Sequence, residues 1–447
     1  MESPPAPAAA PAPDPVATAV AEPAPLKHSR WATAAAAIVG VWAVGSLGLE
    51  GVEQAAAGAA LVMALATFRR VRLAEDLRLF ALLTVGLAAY QALSPFLALA
   101  LGTSPELPRS GRWTQALDAL APLSLAIIST FGVPWRLLFW GLGVGWLLET
   151  AVGLFQVLVK WPWESWGPLK FPLHRLHQNY APEEVGVRRP GLGLFFHKLK
   201  FAHEALAFLG TSLAFALRPG PRRRRAIAAG LSVALLGCTY LSYARAALAA
   251  ALLIAFLGLA AMLPGKARLA GLLIVALGLG TVTLSPTWKV RLDNAIWAVK
   301  SGERAQAWGI GWKAVQDHPV LGAGFGNYVV ASRPYRDPSI DPVLYTSAHN
   351  VAMTVLAETG IIGLLLYLAQ QLALGLALWR RSKAGSIVAA GGLLSLLAFH
   401  FVGLSHYIQF HSGVALAFAL VWGLGLAPNA PGMAAAAPAP APAQTKS

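Results

Sequence analysis

Charge is what this chain has least of. Asp, Glu, Lys and Arg make up 12% of its 447 residues, against about 25% in an ordinary soluble domain. Hydrophobic residues make up 56%, and mean hydropathy is +0.58. This balance excludes an ordinary soluble enzyme. It also excludes a soluble nucleic-acid-binding protein, although the formal net charge is +15. That excess has to be read together with a bilayer, so membrane lipids rather than nucleic acid are the expected surroundings. Cysteine is nearly absent. Cys238 stands alone in an apolar stretch, so no intrachain disulfide and no Cys metal cluster can form.

Long uncharged runs are what the chain has instead. A transmembrane helix needs about 20 apolar residues. Stretches of suitable character lie near 31–49, 52–68, 78–101, 114–131, 136–159, 201–217, 226–242, 245–263, 267–285, 350–378, 386–404 and 413–428. The expectation is therefore an all-α integral membrane protein of about twelve transmembrane helices. The pair flanking Ser242 can also be read as one bent segment. The tails differ from the rest: residues 1–28 and 429–447 are rich in Pro and Ala and are expected to be disordered. The polytopic membrane domain is then 29–428. The N-terminus has no basic region followed at once by an apolar core, so the segment from Trp31 is expected to act as an uncleaved anchor.

Sidedness follows from the basic residues. Arg69, Arg70 and Arg72 follow the second stretch, Arg136 the fourth, and Arg218 with Arg222 to Arg225 the sixth. Lys266 and Arg268 follow the eighth, and Arg380, Arg381 and Lys383 the tenth. Every one of these connections comes after an even-numbered span. The positive-inside rule then places them, and both termini, in the cytoplasm. The opposite, periplasmic face receives two long loops, about 160–200 and about 286–349. It also receives the short turns Ser242–Arg245 and His406–His411.

Positive charge on that outer face is not explained by topology. Arg188, Arg189, Lys198 and Lys200 lie in the first loop, where attraction to lipid phosphates is the bland account. Trp161, Trp163, Trp166 and Tyr180 in the same loop suit an interfacial belt. Arg245 sits at the mouth of the span that starts there, where a charge needs a partner or must snorkel. In the second loop, 302–318 reads as a helix. Arg304, Trp308, Trp312 and Val315 would share one face of it. The glycines of PVLGAGFGNYVV have no βαβ context and predict a tight backbone turn rather than a nucleotide site. His349 and Asn350 stand where the next span enters the membrane. Counting at about 100° per residue puts Gly360 and Gly363 near the His349 face, where another helix could pack closely. The same count turns Glu358 away from His349, toward a partner elsewhere in the bundle.

These residues, in this order, resemble the O-antigen ligase superfamily, which includes O-antigen polymerases and bacterial O-linked oligosaccharyltransferases. The element His349-Asn350, nine residues, Gly360, two residues, Gly363 looks like its signature. S-Y-A-R-A-A-L around Arg245 is similar to the family's S-R-x-x-x-L element, with an extra Ala. Arg304, Trp308, Pro319, Gly322, Gly324 and Asn327 resemble its large-loop pattern. Arg189, Gly191, Phe195, Phe196 and His197 resemble its earlier loop. The resemblance covers about 185–375. It implies a GT-C-type architecture in the bacterial inner membrane. It also implies a metal-independent glycosyltransferase with no cofactor. The donor would be a glycan on undecaprenyl pyrophosphate. The acceptor would be lipid A–core in a ligase of lipopolysaccharide biosynthesis, or the growing glycan in a polymerase.

The residue chemistry agrees with what the resemblance implies. An attacking hydroxyl has to lose a proton, and the ordinary pKa of His349 lies near neutrality. A departing diphosphate needs cations, and guanidinium binds phosphate bidentately and stays charged. Arg304 and Arg245 are the expected clamps, with Arg189 a third and Asn350 a further contact to the pyrophosphate. Asp337 and Asp341 form the one close carboxylate pair in the large loop and read as turn residues beside Pro338 and Pro342. Three rival readings remain. A polymerase shares the donor site. A transporter would show paired interrupted helices in both halves, whereas Glu149, Glu358 and His400 do not repeat. A structural membrane protein leaves the outer Arg and His set without a use.

Overall fold

In a computed structural model, residues 30–108, 112, 114–159, 190–195, 197–290, 292–293, 302–340 and 342–432 are described. The Pro/Ala tails lie outside them. So does most of the 160–200 loop, including Trp161, Trp163, Trp166, Tyr180, Arg188 and Arg189.

The described residues form helices and turns, with no strands among them. In chain order the helices are α1 (Arg30–Gly45), α2 (Glu50–Thr67), α3 (Glu75–Ala100), α4 (Ala121–Ile128) and α5 (Trp135–Val159). There follow α6 (Lys198–Leu217), α7 (Arg222–Leu241), α8 (Arg245–Met262), α9 (Gly265–Leu284) and α10 (Glu303–Asp317). The last are α11 (Tyr328–Ala331), α12 (Val351–Lys383), α13 (Ile387–Gly403) and α14 (Ser412–Gly425). A 3-10 segment, Thr114–Leu120, leads into α4. Each apolar stretch read from the sequence lies on a helix. Among the described residues five helices, those starting at Glu50, Glu75, Trp135, Arg245 and Val351, are long and apolar enough to cross a membrane. Shorter apolar helices at 30–45, 115–131, 387–403 and 412–425 accompany them. Large aliphatic side chains face outward along these helices: Leu82 is 70% exposed and Leu137 74%. Such a surface suits lipid and not water.

Helix α6 is the core of the bundle. From Phe201 to Phe215 every residue but Thr211 is buried. It packs against α7, α8, α13 and α14. Its closest approach to α13 is made by small residues: a Cβ on Gly210 would meet the Gly391 carbonyl oxygen at 2.5 Å. Small residues of this kind let helices pack tightly where the apolar surroundings supply no hydrophobic drive.

The basic turns gather at one end. Arg70 lies over the Trp31 ring, Arg218 donates to Ser382 and to the Gly385 carbonyl, and Arg381 pairs with Asp76. The opposite end carries the Lys200–Glu50 ion pair and the large loop. The turn at Ser242 is real: α7 and α8 are two helices joined by Ser242, Tyr243 and Ala244. Tyr243 takes φ +53, the Ala244 amide donates to the Ser242 hydroxyl at 3.1 Å, and the chain reverses within three residues.

Helix α12 departs from the continuous helix that the glycine count assumed. Gly360 has φ 62 and ψ −171, so the helix is broken there. The break admits the Pro319–Ala323 segment. The Ile361 amide donates to the Pro319 carbonyl at 2.9 Å, and the Ala323 amide to the Ala357 carbonyl at 3.0 Å. Of the two glycines, Gly363 meets a neighbouring helix and Gly360 does not. Gly360 receives a loop backbone, and Gly363 faces the Tyr90 ring of α3, with 2.9 Å to a Cβ built there. The physical reason is that φ above zero costs glycine little, and the loop's own amides and carbonyls complete the hydrogen bonds the break leaves open.

Candidate active site

The break in α12 decides where His349 stands. Gln371 meets the His400 ring of α13 at 3.2 Å. On a straight α12, Val351 would rise about 30 Å above Gln371, at 1.5 Å per residue. Yet the Asn350 side-chain amide donates to the Leu404 carbonyl at 3.1 Å, and Leu404 is only about 6 Å along the axis beyond His400 by the same rise. The segment before Gly360 must therefore turn back over the bundle, and it carries His349 to the top of α13.

Local bonds hold it there. Asn350 is the N-cap of α12, accepting from the Met353 amide at 3.0 Å. Thr354 donates to the Asn350 carbonyl at 2.8 Å and accepts from the Ala348 amide at 3.3 Å. Between them His349 takes φ +50, a left-handed conformation uncommon outside glycine. The sequence reading gave Asn350 to the pyrophosphate. Its side-chain carbonyl and amide each have a protein partner, which holds it in place next to His349.

The imidazole is half-buried, and neither ring nitrogen has a hydrogen-bond partner. Its ring meets Tyr407 edge-on, centroids 5.1 Å apart. Tyr407 stacks on His411 at 4.8 Å, and His406 meets His203 of α6 at 5.4 Å. Burial first, then the positive charge of Arg304 and that of His411, push the His349 pKa down to about 4. Burial also takes His411 down to about 4, helped by Lys200 and His197, and depresses His406. These imidazoles are neutral at pH 7 and able to accept a proton.

Arg304 reaches this group from α10. The packed face of α10 is Ala307, Ile310, Gly311, Ala314 and Val315. Gly311 rests against Ala348 and Met353, the residues flanking His349 and Asn350. The stripe expected on this helix is only partly the packed face: Val315 is buried, but Trp312 is 53% exposed. Arg304 is half-buried. Its pKa is lowered by burial first and also by the charge of Arg245, while Glu303 and Tyr407 act the other way. Arg245 opens α8 directly after the Ser242 turn and is half-buried too. Two guanidinium groups within electrostatic reach of one another repel, and an anion between them relieves the repulsion.

Arg189 lies outside the described residues. The chain just after it is well held. The Gly191 amide donates to the Leu241 carbonyl at 2.8 Å. Gln156 pairs with Leu192 and Gly193, and Glu149 accepts from the Leu194 amide. Glu358 also has a structural partner, accepting from the Tyr328 amide at 3.1 Å and so holding the glycine-rich turn. Asp337 closes a turn by accepting from the Ser339 amide at 2.8 Å; Asp341 lies outside the described residues.

Sequence reasoning noted the His406–His411 turn but gave it no chemistry. His406, Tyr407 and His411 are three titratable residues within six on the face that holds His349, and that density was the available signal. His203 carried none, standing beside Glu204 in a mainly apolar helix.

A helical bundle with lipid-suited sides and a cationic, histidine-centred cluster at one end has the character of a multi-pass membrane protein. Residues 230–368 match the family model described as O-antigen ligase. The match supports the O-antigen ligase superfamily, and it holds Arg245, Arg304, His349, Asn350 and Gly360. Residues 197–203 and 406–411 lie beyond it. No curated protein matches the chain.

Proposed function

We infer that the chain is a glycosyltransferase that moves a glycan from undecaprenyl pyrophosphate to an acceptor hydroxyl, as an O-antigen ligase acting on lipid A–core. It would sit in the bacterial inner membrane with twelve spans in a GT-C-type arrangement, both termini cytoplasmic and the site on the periplasmic face. The observation that carries this reading is the packing of α10, which bears Arg304, against Ala348 and Met353 beside an imidazole whose two nitrogens have no protein partner, with Arg245 within electrostatic reach of Arg304.

Each residue has a chemical task in this reading. The acceptor hydroxyl attacks the anomeric carbon and passes its proton to His349. The bond to the pyrophosphate oxygen breaks, and its electron pair stays with the diphosphate. Arg304 and Arg245, with Arg189 as a third cation, hold that growing charge. Anion binding would also screen Arg304 from His349. The depressed imidazole would then become a stronger base when the donor is in place. Asn350 fixes the ring's position. No step needs a cofactor.

Deletion of the gene followed by gel analysis of surface polysaccharide tests the reading. Loss of all O-antigen from lipid A–core, with glycan left on the carrier lipid, is the expected result. A product with a single repeat would reassign the chain to polymerisation. Unchanged polysaccharide would sink both.

A further inference from the structure

Polar side chains gather in a second place, just below the His406–His411 turn. A pocket opens there between α3, the 114–120 segment, α12, α13 and α14. Its cavity volume is about 50 Å³, several times the about 10–15 Å³ that a single water needs. Gln115, Asp118, Tyr367, Gln409 and the ring of Phe410 are among its walls.

The donors and acceptors of this wall are unevenly used. Gln115 gives its Nε2 to the Phe410 carbonyl at 2.9 Å, and its Oε1 has no partner. The Gln409 Oε1 and the Tyr367 hydroxyl are likewise buried and unpartnered. Tyr367 is 2% exposed. Asp118 accepts from the Ser412 hydroxyl at 3.2 Å through one oxygen. Unpaired polar groups are costly in an apolar bundle; the lining donor Trp422 Nε1 is unpartnered too, so the wall suits a ligand that both donates and accepts hydrogen bonds. Lys, Arg and His are missing from the described lining itself; Arg112 lies over the Phe410 ring at 6.0 Å and His400 bonds Gln371 from behind the wall. Amide and carboxylate acceptors match hydroxyl groups, and an aromatic face such as that of Phe410 packs against the C–H face of a ring.

We propose that this pocket binds one uncharged, hydroxyl-bearing sugar ring beside the transfer site. The proposal rests on the glycan-transfer reading above and names where a sugar is gripped. The connection to the site is short. Phe410 precedes His411, and His411 stacks on the Tyr407 that touches His349. A ring held by Gln409 and Phe410 is one turn of chain from the imidazole. The ring belongs either to the donor glycan or to the acceptor.

The test uses the full chain in detergent micelles with methyl glycosides of glucose, galactose, mannose and N-acetylglucosamine as probes, read by saturation-transfer difference NMR. At least one glycoside is expected to receive saturation at its ring protons. Gln409→Leu and Tyr367→Phe should each weaken that binding about three- to tenfold, the value of one hydrogen bond to a neutral partner. Tyr367→Phe removes a single oxygen, so its result does not depend on a rebuilt fold. No binding of any glycoside, or equal binding in both variants, would overturn the proposal and leave a hydrated cavity. Steady-state kinetics then separate the sources. A raised KM for acceptor alone assigns the ring to the acceptor, a raised KM for donor alone assigns it to the donor, and no change in either refutes the subsite. If His349→Ala transferred glycan normally while glycosides still bound, the assignment of the base would fall and the pocket would stand.

Discussion

The backbone of Val320 crosses α12 at Gly360 so closely that a Cβ there would stand 2.0 Å from the Val320 carbonyl oxygen. The crossing holds the large loop and the His349 segment as one unit. Gly360 combines φ 62 with ψ −171, a region that in practice belongs to glycine. Gly360→Ala is therefore expected to lose at least about 1–3 kcal/mol through backbone strain alone, with the clash added. Thermal unfolding in detergent measures it. A variant that melts with the wild type would show that the loop does not bind here.

His349→Ala should lower transfer about 100-fold or more, as removal of a positioned general base does, while membrane insertion stays intact. The ring makes no hydrogen bond to the protein, so the loss should be catalytic and the melting temperature close to that of the wild type. A purified variant with the wild-type rate would remove His349 from the chemistry.

Arg304→Lys keeps the charge and loses the planar fork. Transfer should fall about tenfold or more, the worth of one charge-assisted hydrogen bond, and Arg304→Ala should abolish it. If guanidinium holds the leaving group, as proposed, EDTA should have no effect. Strong inhibition reversed by magnesium would overturn the metal-free mechanism.

Acid should destabilise the protein and should slow it late. His349 and His411 fall from an ordinary 6.5 to about 4 when folded. Below pH 6.5 the unfolded chain binds protons that the folded chain does not, so stability is lost as pH falls from about 6.5 toward about 4. Arg304, His406, Tyr407 and His411 face His349, and burial first, then the charge of Arg304, keep its pKa low. For free enzyme, kcat/KM should hold through pH 6 and fall only toward about 4. An acid limb centred at 6.5 would mean that His349 is solvated and not the base.

Asn350→Ala should cost about 1 kcal/mol as a lost N-cap and should lower activity by releasing His349. Asn350→Asp retains a capping oxygen and should recover the stability, since its oxygen can still accept from the Met353 amide. Equal damage from both would point instead to a role for the amide nitrogen on Leu404 or on substrate.

Much of the frame could be read directly. Apolar runs long enough for helices became helices, because in a bundle with almost no charge the backbone has few other ways to satisfy its hydrogen bonds. The Ser242 turn was ambiguous because its reversal depends on Tyr243 at φ +53, which no hydropathy pattern reveals. His349, Arg304 and Arg245 were legible through their spacing and through charge where topology needs none. Their meeting was not legible. It depends on α10 lying against Ala348 and Met353, a contact between segments about forty residues apart.

The amino-acid sequence by itself determined the helical class and the ends at which charge collects, and it singled out the candidate site residues, since those follow from local composition and short spacing. Tertiary structure decided what the residues do together. Counting at 100° per residue placed Gly360 beneath His349 for a neighbouring helix; the helix is broken at that residue and the count ends with it. The same break brings His349 down onto Tyr407 of a turn 58 positions later. A sum of local preferences cannot specify such a contact, because its geometry is set by packing between distant segments.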